Sequence, residues 1–172
     1  MIFLLAVTAG LRRKEIDLLE WPSFRFKDDA IRIETTQFFQ PKSQDSVAEI
    51  QMDPEIMGIF RQYHANAKGN FVIPSGKPPK TVSRGDYYRC ESHFDAINAW
   101  LRSKGVNTQK PLHTLRKEYG SLINKAHGIH AASKALRHAD ISVTNNFYTD
   151  SRVRVTPGLG KLFGRKTKPR TK

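Results

Sequence analysis

His113 and Arg116 stand three residues apart in PLHTLRKEYGSLI and so share one face of a helix. An imidazole can move a proton near neutral pH, and a guanidinium fork can hold two oxygens of an anion at once. Three other stretches carry groups of comparable reach: Arg12 in TAGLRRKEIDLL, Lys42 in QPKSQD, and His138 with Tyr148 in ALRHADISVTNNFYTD. A tyrosine hydroxyl can act as a nucleophile and form a covalent ester. Each group alone also has a plainer reading. Arg12 is one more solvated cation, and His113 with Arg116 is a polar stripe opposite Leu115 and Leu122. His138 caps a helix C-terminus, and Tyr148 belongs to the core or its boundary. Metal chemistry is not expected, because the six histidines are scattered without an H-E-x-x-H pattern. Cys90 is the single cysteine, which rules out an intramolecular disulfide and a cysteine-based zinc cluster.

Local pattern says which elements must position these groups. Ile2 to Thr8 reads as the end of an apolar helix, Gly10 as a left-handed stop, and Lys14 to Leu19 as a second helical stretch, so Arg12 falls at a helix junction. The period then changes to two. Phe24-Arg25-Phe26 and Ile31-Arg32-Ile33 flank a Lys27-Asp28-Asp29 turn, and Ala48, Ile50 and Met52 share one face of a third strand. Lys42 lies in the polar hairpin tip between strands two and three. Asp53-Pro54 predicts a capped helix start, followed by Ile56, Ile59, Phe60 and Tyr63 at helical spacing up to Gly69. Phe71 to Ile73 suits a short strand, and Ser75 to Arg89 an exposed loop. Phe94, Ile97, Trp100 and Leu101 mark a further helix. Leu115, Tyr119, Leu122, Ile123 and Ala126 mark another, ended by Gly128. Shorter helices are expected over Ala131 to Arg137 and Ile141 to Tyr148. No internal repeat occurs, and the predicted class is mainly α with a small antiparallel β-sheet.

Charge bounds the partner. Twenty-nine Lys and Arg against sixteen Asp and Glu leave a net charge of +13 over 172 residues, which makes polyanions the natural ligands, nucleic acid before an anionic membrane surface. No long amphipathic basic helix supports the membrane alternative. At the N-terminus the cations Arg12, Arg13 and Lys14 follow the apolar run. A secretory signal places them before it, so a soluble, cytoplasmic chain is expected.

Taken in order, Gly10-Leu11-Arg12 with Glu15, a hairpin lysine at Lys42, His113-x-x-Arg116, His138 and Tyr148 resemble the tyrosine recombinase (phage integrase) family. The joint pattern spans about Val7 to Thr149. The resemblance implies the family's catalytic domain, which is mostly α-helical with a small β-sheet and is shared with type IB topoisomerases. It implies Arg12, Lys42, His113, Arg116, His138 and Tyr148 as catalytic residues, with Glu15 supporting the site from behind. Leu136-Arg137-His138 departs from the common Leu-Gly-His.

Under that resemblance, Tyr148 attacks a DNA phosphodiester, and Arg12 and Arg116 hold the nonbridging oxygens with a further hydrogen bond from His138. Lys42 is the candidate general acid for the leaving 5′-oxygen, and His113 a candidate for proton transfer at the tyrosine hydroxyl. The product is a 3′-phosphotyrosyl DNA, resealed by a partner strand. The partner is double-stranded DNA, with self-association as a tetrameric synapse on it and a monomer allowed in solution. No cofactor is implied. Arg13, Lys77, Lys80 and Arg84 are candidate DNA-backbone contacts, as are Lys68 and the tail cations. Residues 1–155 are expected to form the catalytic domain, without the start of its first helix or the DNA-clamping domain that usually precedes it, and 156–172 a basic, partly disordered tail. The rival readings are a noncatalytic DNA-binding remnant and a type IB topoisomerase-like DNA relaxase.

Overall fold

The structure is a computed structural model that describes residues 1–41, 47–80 and 87–137. Lys42, Arg84, His138, Tyr148, the helix expected over 141–148 and the basic tail lie outside the described residues.

The described part is mainly helical with one small sheet. Helix α1 (Ile2–Thr8) buries Ile2, Leu5 and Ala6 and stops as expected, with Gly10 at φ +57° and the Leu11 N–H returning to the Leu5 carbonyl at 3.2 Å. Arg12 is the N-cap of α2 (Arg13–Leu18), which begins one residue before the expected start. A 3₁₀ turn at Trp21–Ser23 leads into β1 (Phe24–Arg25), β2 (Ala30–Ile33) and β3 (Ala48–Gln51). These form one antiparallel sheet in the order β1-β2-β3, with Phe24 opposite Ile31 and Ile31 opposite Ile50. The two-residue alternation put Phe24, Ile31, Ile33, Ile50 and Met52 on the inner side, and all five are buried.

Asp53 caps α3 (Pro54–Ala65) by accepting the Glu55 N–H at 2.8 Å, with Pro54 in the first helical turn. The helix ends at Ala65, short of Gly69. Its neighbours in the chain are α4 (Glu91–Ser103), α5 (Pro111–His127) and α6 (Ile129–Leu136). Helix α5 is central and packs on α1, α4 and α6. One core joins helices and sheet, running from Leu5 and Ile16 through Ile31, Met57 and Phe60 to Phe94, Leu101 and Leu115.

Three expectations are corrected. Phe71 to Ile73 is not a strand, since it makes only a single bridge between Glu20 and Phe71. The stretch from Ser75 is not exposed throughout: Arg89 is buried, with its guanidinium donating to the carbonyls of Asp17 at 2.7 Å and Ile73 at 3.0 Å. The apolar face of α5 is also shifted. Leu112, Leu115, Arg116 and Gly120 are buried, whereas Leu122 is 61% exposed. Arg116 therefore lies on the inner face, where its neighbours are backbone carbonyls, and is not part of an exposed polar stripe.

Asp17 holds the second half of the chain to the first. Its buried carboxylate accepts the N–H groups of Arg89 at 3.1 Å and Cys90 at 2.8 Å, and so closes the N-terminal end of α4 from a helix more than seventy residues earlier. The Cys90 thiol beside it is pushed up to about 12, chiefly by burial, and stays protonated. Asp17→Ala is expected to cost about 3 kcal/mol, because two buried N–H groups lose a charged acceptor. Urea unfolding of the two proteins measures it, and a loss under about 1 kcal/mol would show that α4 does not depend on this cap.

Candidate active site

Two helix ends meet at the site, both C-terminal and so both presenting unpaired carbonyls. The Arg116 guanidinium donates to the Gly10 carbonyl just past α1 and to the Leu136 carbonyl at the end of α6. The Arg12 guanidinium donates to the next carbonyl along, that of Arg137, at 3.0 Å. Consecutive carbonyls of one helix terminus thus hold the two arginines side by side, where the negative end of the helix dipole favours cations. Gly10 is needed for the approach. A Cβ there would lie 2.4 Å from the Tyr119 ring, so any side chain would force that ring, which packs from α5, to shift.

Glu15 lies behind the pair. Its Oε1 accepts from Arg12 Nη1 at 2.8 Å, and its Oε2 accepts the Arg12 backbone N–H at 2.7 Å and Arg137 Nη2 at 2.6 Å. Arg116 is 2% exposed and the Arg12 side chain 34%, so one cation is sunk and the other open. Burial, then repulsion from Arg12, lowers Arg116 to about 9, which leaves it charged at neutral pH.

A cavity of about 540 Å³ opens in front of these groups, lined among others by Arg12, Arg13, Tyr88, Lys110, His113 and Arg116. His113 is in the first turn of α5, one helical turn before Arg116, and reaches the cavity rim. Burial of part of its ring, followed by the charges of Lys117, Arg116, Lys110 and Arg12, lowers its pKa from 6.5 and favours the neutral imidazole. The fold therefore brings together Arg12, Glu15, His113 and Arg116, four of the residues singled out in the sequence.

The candidate DNA contacts differ from one another. Arg13 is not a solvated cation: it is half-buried, with its guanidinium 3.9 Å from the Tyr88 ring centroid and 4.8 Å from that of Phe94. Lys77 is exposed and 3.5 Å from Glu91, and Lys80 is exposed 4.4 Å from the Tyr87 ring. Lys68 is exposed near the end of α3. Among the described residues no cluster of His, Cys, Asp and Glu has the makings of a metal site, and no helix is long and apolar enough to cross a membrane.

Sequence reasoning did not foresee the part of Arg137. Its backbone is left-handed at φ 53°, ψ 50°, and its side chain is buried against Glu15. The signal available was its place in Leu136-Arg137-His138, where the resembled family commonly has glycine. A non-glycine residue in that conformation costs about 1 kcal/mol or more, which the surrounding contacts must offset.

The sequence matches the phage integrase family over residues 1–154, and the chain belongs to that family. No curated protein sequence matches it. Among solved structures it is similar to the Tn1549 transposon integrase in complex with transposon right end DNA, at 19% identity and a TM-score of 0.62, covering 85% of this chain and 52% of that one. The same integrase in complex with circular intermediate DNA gives 18% identity and a TM-score of 0.60, with coverage of 94% and 57%. XerA recombinase gives 13% and 0.62, with coverage of 97% and 57%. At these identities the likeness is one of fold, and the chain spans about half the length of the structures it matches.

The charge state of His113 is open to direct measurement. In the DNA-free protein its imidazole is expected to titrate below 6.5 by NMR, and Lys117→Ala to raise that midpoint, since removing a nearby cation eases protonation. A midpoint above 6.5 would contradict the proposed surroundings of the ring.

Proposed function

We propose that this chain cleaves and rejoins DNA strands at specific sites through a 3′-phosphotyrosyl intermediate, in integration or recombination. The observation that carries the reading is the junction at which Arg12 and Arg116 are held by adjacent carbonyls at the edge of one cavity, with His113 on its rim. Two guanidinium groups so fixed suit the nonbridging oxygens of a phosphodiester, on which charge grows during attack. Membership of the phage integrase family supports the same chemistry, and DNA as the partner is in keeping with fold neighbours solved in complex with transposon right end DNA and with circular intermediate DNA.

In this reading the Tyr148 oxygen attacks phosphorus, the bond from phosphorus to the 5′-oxygen breaks, and the 3′-phosphate remains on the tyrosine. The tyrosine proton passes to the neutral His113, and the leaving oxygen takes a proton from Lys42. His138 donates a hydrogen bond to the phosphoryl oxygens. The reverse attack by a 5′-hydroxyl of a partner strand releases Tyr148 and reseals the backbone. Glu15 holds Arg12 and takes no proton. The substrate is double-stranded DNA, backbone affinity comes from cations such as Lys77, Lys80 and Arg84, and the active assembly is a tetrameric synapse. Residues 1–155 form the catalytic domain in this account and 156–172 a basic tail.

A nicked suicide substrate tests the assignment, because the released strand cannot return and the covalent adduct accumulates. Tyr148→Phe is expected to abolish the adduct with DNA affinity nearly unchanged. Arg12→Ala and Arg116→Ala should each slow single-turnover capture at saturating protein by roughly 100-fold or more, about 3 kcal/mol per lost donor group, while Lys80→Ala does not. An adduct that survives Tyr148→Phe, or a wild-type chain that forms none, overturns the reading.

The role of Lys42 has its own test. Replacing the leaving 5′-oxygen by sulfur, which departs without a proton, should restore most of the activity lost in Lys42→Ala and little of that lost in Arg116→Ala. Equal losses in both variants, insensitive to sulfur, would remove Lys42 from the catalytic set.

A further inference from the structure

We propose that Arg137 is a positioning residue for this reaction, the counter-ion that holds Glu15 in place so that the full charge of Arg12 remains available to the phosphodiester. The inference rests on the catalytic reading above and extends it to a residue that the family resemblance did not assign.

The geometry makes a purely structural role a poor account of this side chain. Among the described residues only Asp29 and Arg137 combine a side chain with positive φ, and Asp29 lies in an ordinary strand turn. The Arg137 side chain is 2% exposed, yet among the described residues Nη2 is the one guanidinium nitrogen with a partner, Glu15, while Nε and Nη1 are buried without an acceptor there. A buried cation with two unmatched nitrogens in a strained backbone is a costly way to end a helix, and glycine would end it without strain.

What the side chain does accomplish is electrostatic. Glu15 is also 2% exposed in its side chain and accepts from Arg12 through both oxygens. Left with Arg12 alone, the carboxylate would neutralise the cation it orients. With Arg137 on Oε2, the cluster of Arg12, Arg116 and Arg137 against Glu15 carries three positive charges and one negative, a net +2 beside the cavity. Such a surplus suits a phosphodiester whose negative charge rises in the transition state. The same residue also acts through its backbone, since its carbonyl accepts from Arg12 Nη2. Side chain and carbonyl of one left-handed residue thus reach opposite ends of the Arg12–Glu15 pair.

The test compares Arg137→Gly, Arg137→Lys and the double variant Arg137→Gly with Glu15→Gln in suicide-substrate capture, with Arg116→Ala as control. Glycine suits the left-handed backbone, so the fold should survive. Arg137→Gly is expected to slow single-turnover capture at saturating protein on the order of 10- to 100-fold, with the Kd for DNA within about threefold of wild type. Arg137→Lys should recover most of the rate. Adding Glu15→Gln to Arg137→Gly should slow capture no further, because the charge that Arg137 offsets is then gone. A wild-type rate in Arg137→Gly, with Arg116→Ala inactive, overturns this role alone. So does a slow Arg137→Gly that lysine fails to rescue and that loses DNA affinity and thermal stability in step. If Arg116→Ala captures DNA at the wild-type rate, or the wild type captures none, the catalytic reading fails and this role with it.

Discussion

One buried carboxylate organises the site. Glu15 sits in the first turn of α2 and accepts from the Arg12 backbone, the Arg12 side chain and the Arg137 side chain. Removing a carboxylate from water is costly, and here the cost is offset by three donors, two of them on cations. Because those donors come from the two ends of the described chain, the same bonds that satisfy Glu15 also set where α6 ends relative to α2. The arginine pair is thereby aligned by the fold itself, the preorganisation that the proposed electrostatic role requires.

Backbone carbonyls complete the arrangement. Gly10, Leu136 and Arg137 each direct a carbonyl at a guanidinium, and all three lie at or just past a helix C-terminus. Helix ends must find partners for such groups in any case. Here the partners are Arg12 and Arg116, so the bonds that end the helices also fix the arginine pair of the candidate site. Asp17 plays the complementary part at an N-terminus, where a carboxylate closes α4 and keeps Tyr88 and Arg89 next to α2. Arg13 then rests on Tyr88 and Phe94 at the cavity wall.

His113 shows how one environment serves two ends. Partial burial first, and then the charges of Lys117, Arg116, Lys110 and Arg12, lower its pKa and favour the neutral imidazole, and the same cations give the cavity its positive charge. A bound phosphate brings negative charge to the same place and eases protonation of the ring. Under the proposed function, the ring's proton affinity would then rise with substrate bound, as that reading requires of the group that receives the tyrosine proton.

Local physics was legible in the sequence. The left-handed Gly10, the Asp53-Pro54 helix start, the two-residue alternation of the strands and the Gly128 stop depend on residues within a turn of one another, and each appears in the structure. Arg12, Glu15, His113 and Arg116 were legible as types at fixed spacing. Their mutual geometry was not, since it is set by carbonyls of Gly10, Leu136 and Arg137 contributed from distant positions. Periodicity also misjudged α5. It counted Leu122 with the apolar face, whereas contact with α1 and α6 turned the face toward Leu112 and Arg116 and left Leu122 in water. The Asp17 cap and the burial of Arg89 have no local signature, because both form only when segments far apart in sequence are brought within hydrogen-bond reach. Short-range sterics and spacing thus determined the elements and the reactive types, and tertiary packing alone decided which charges face one another.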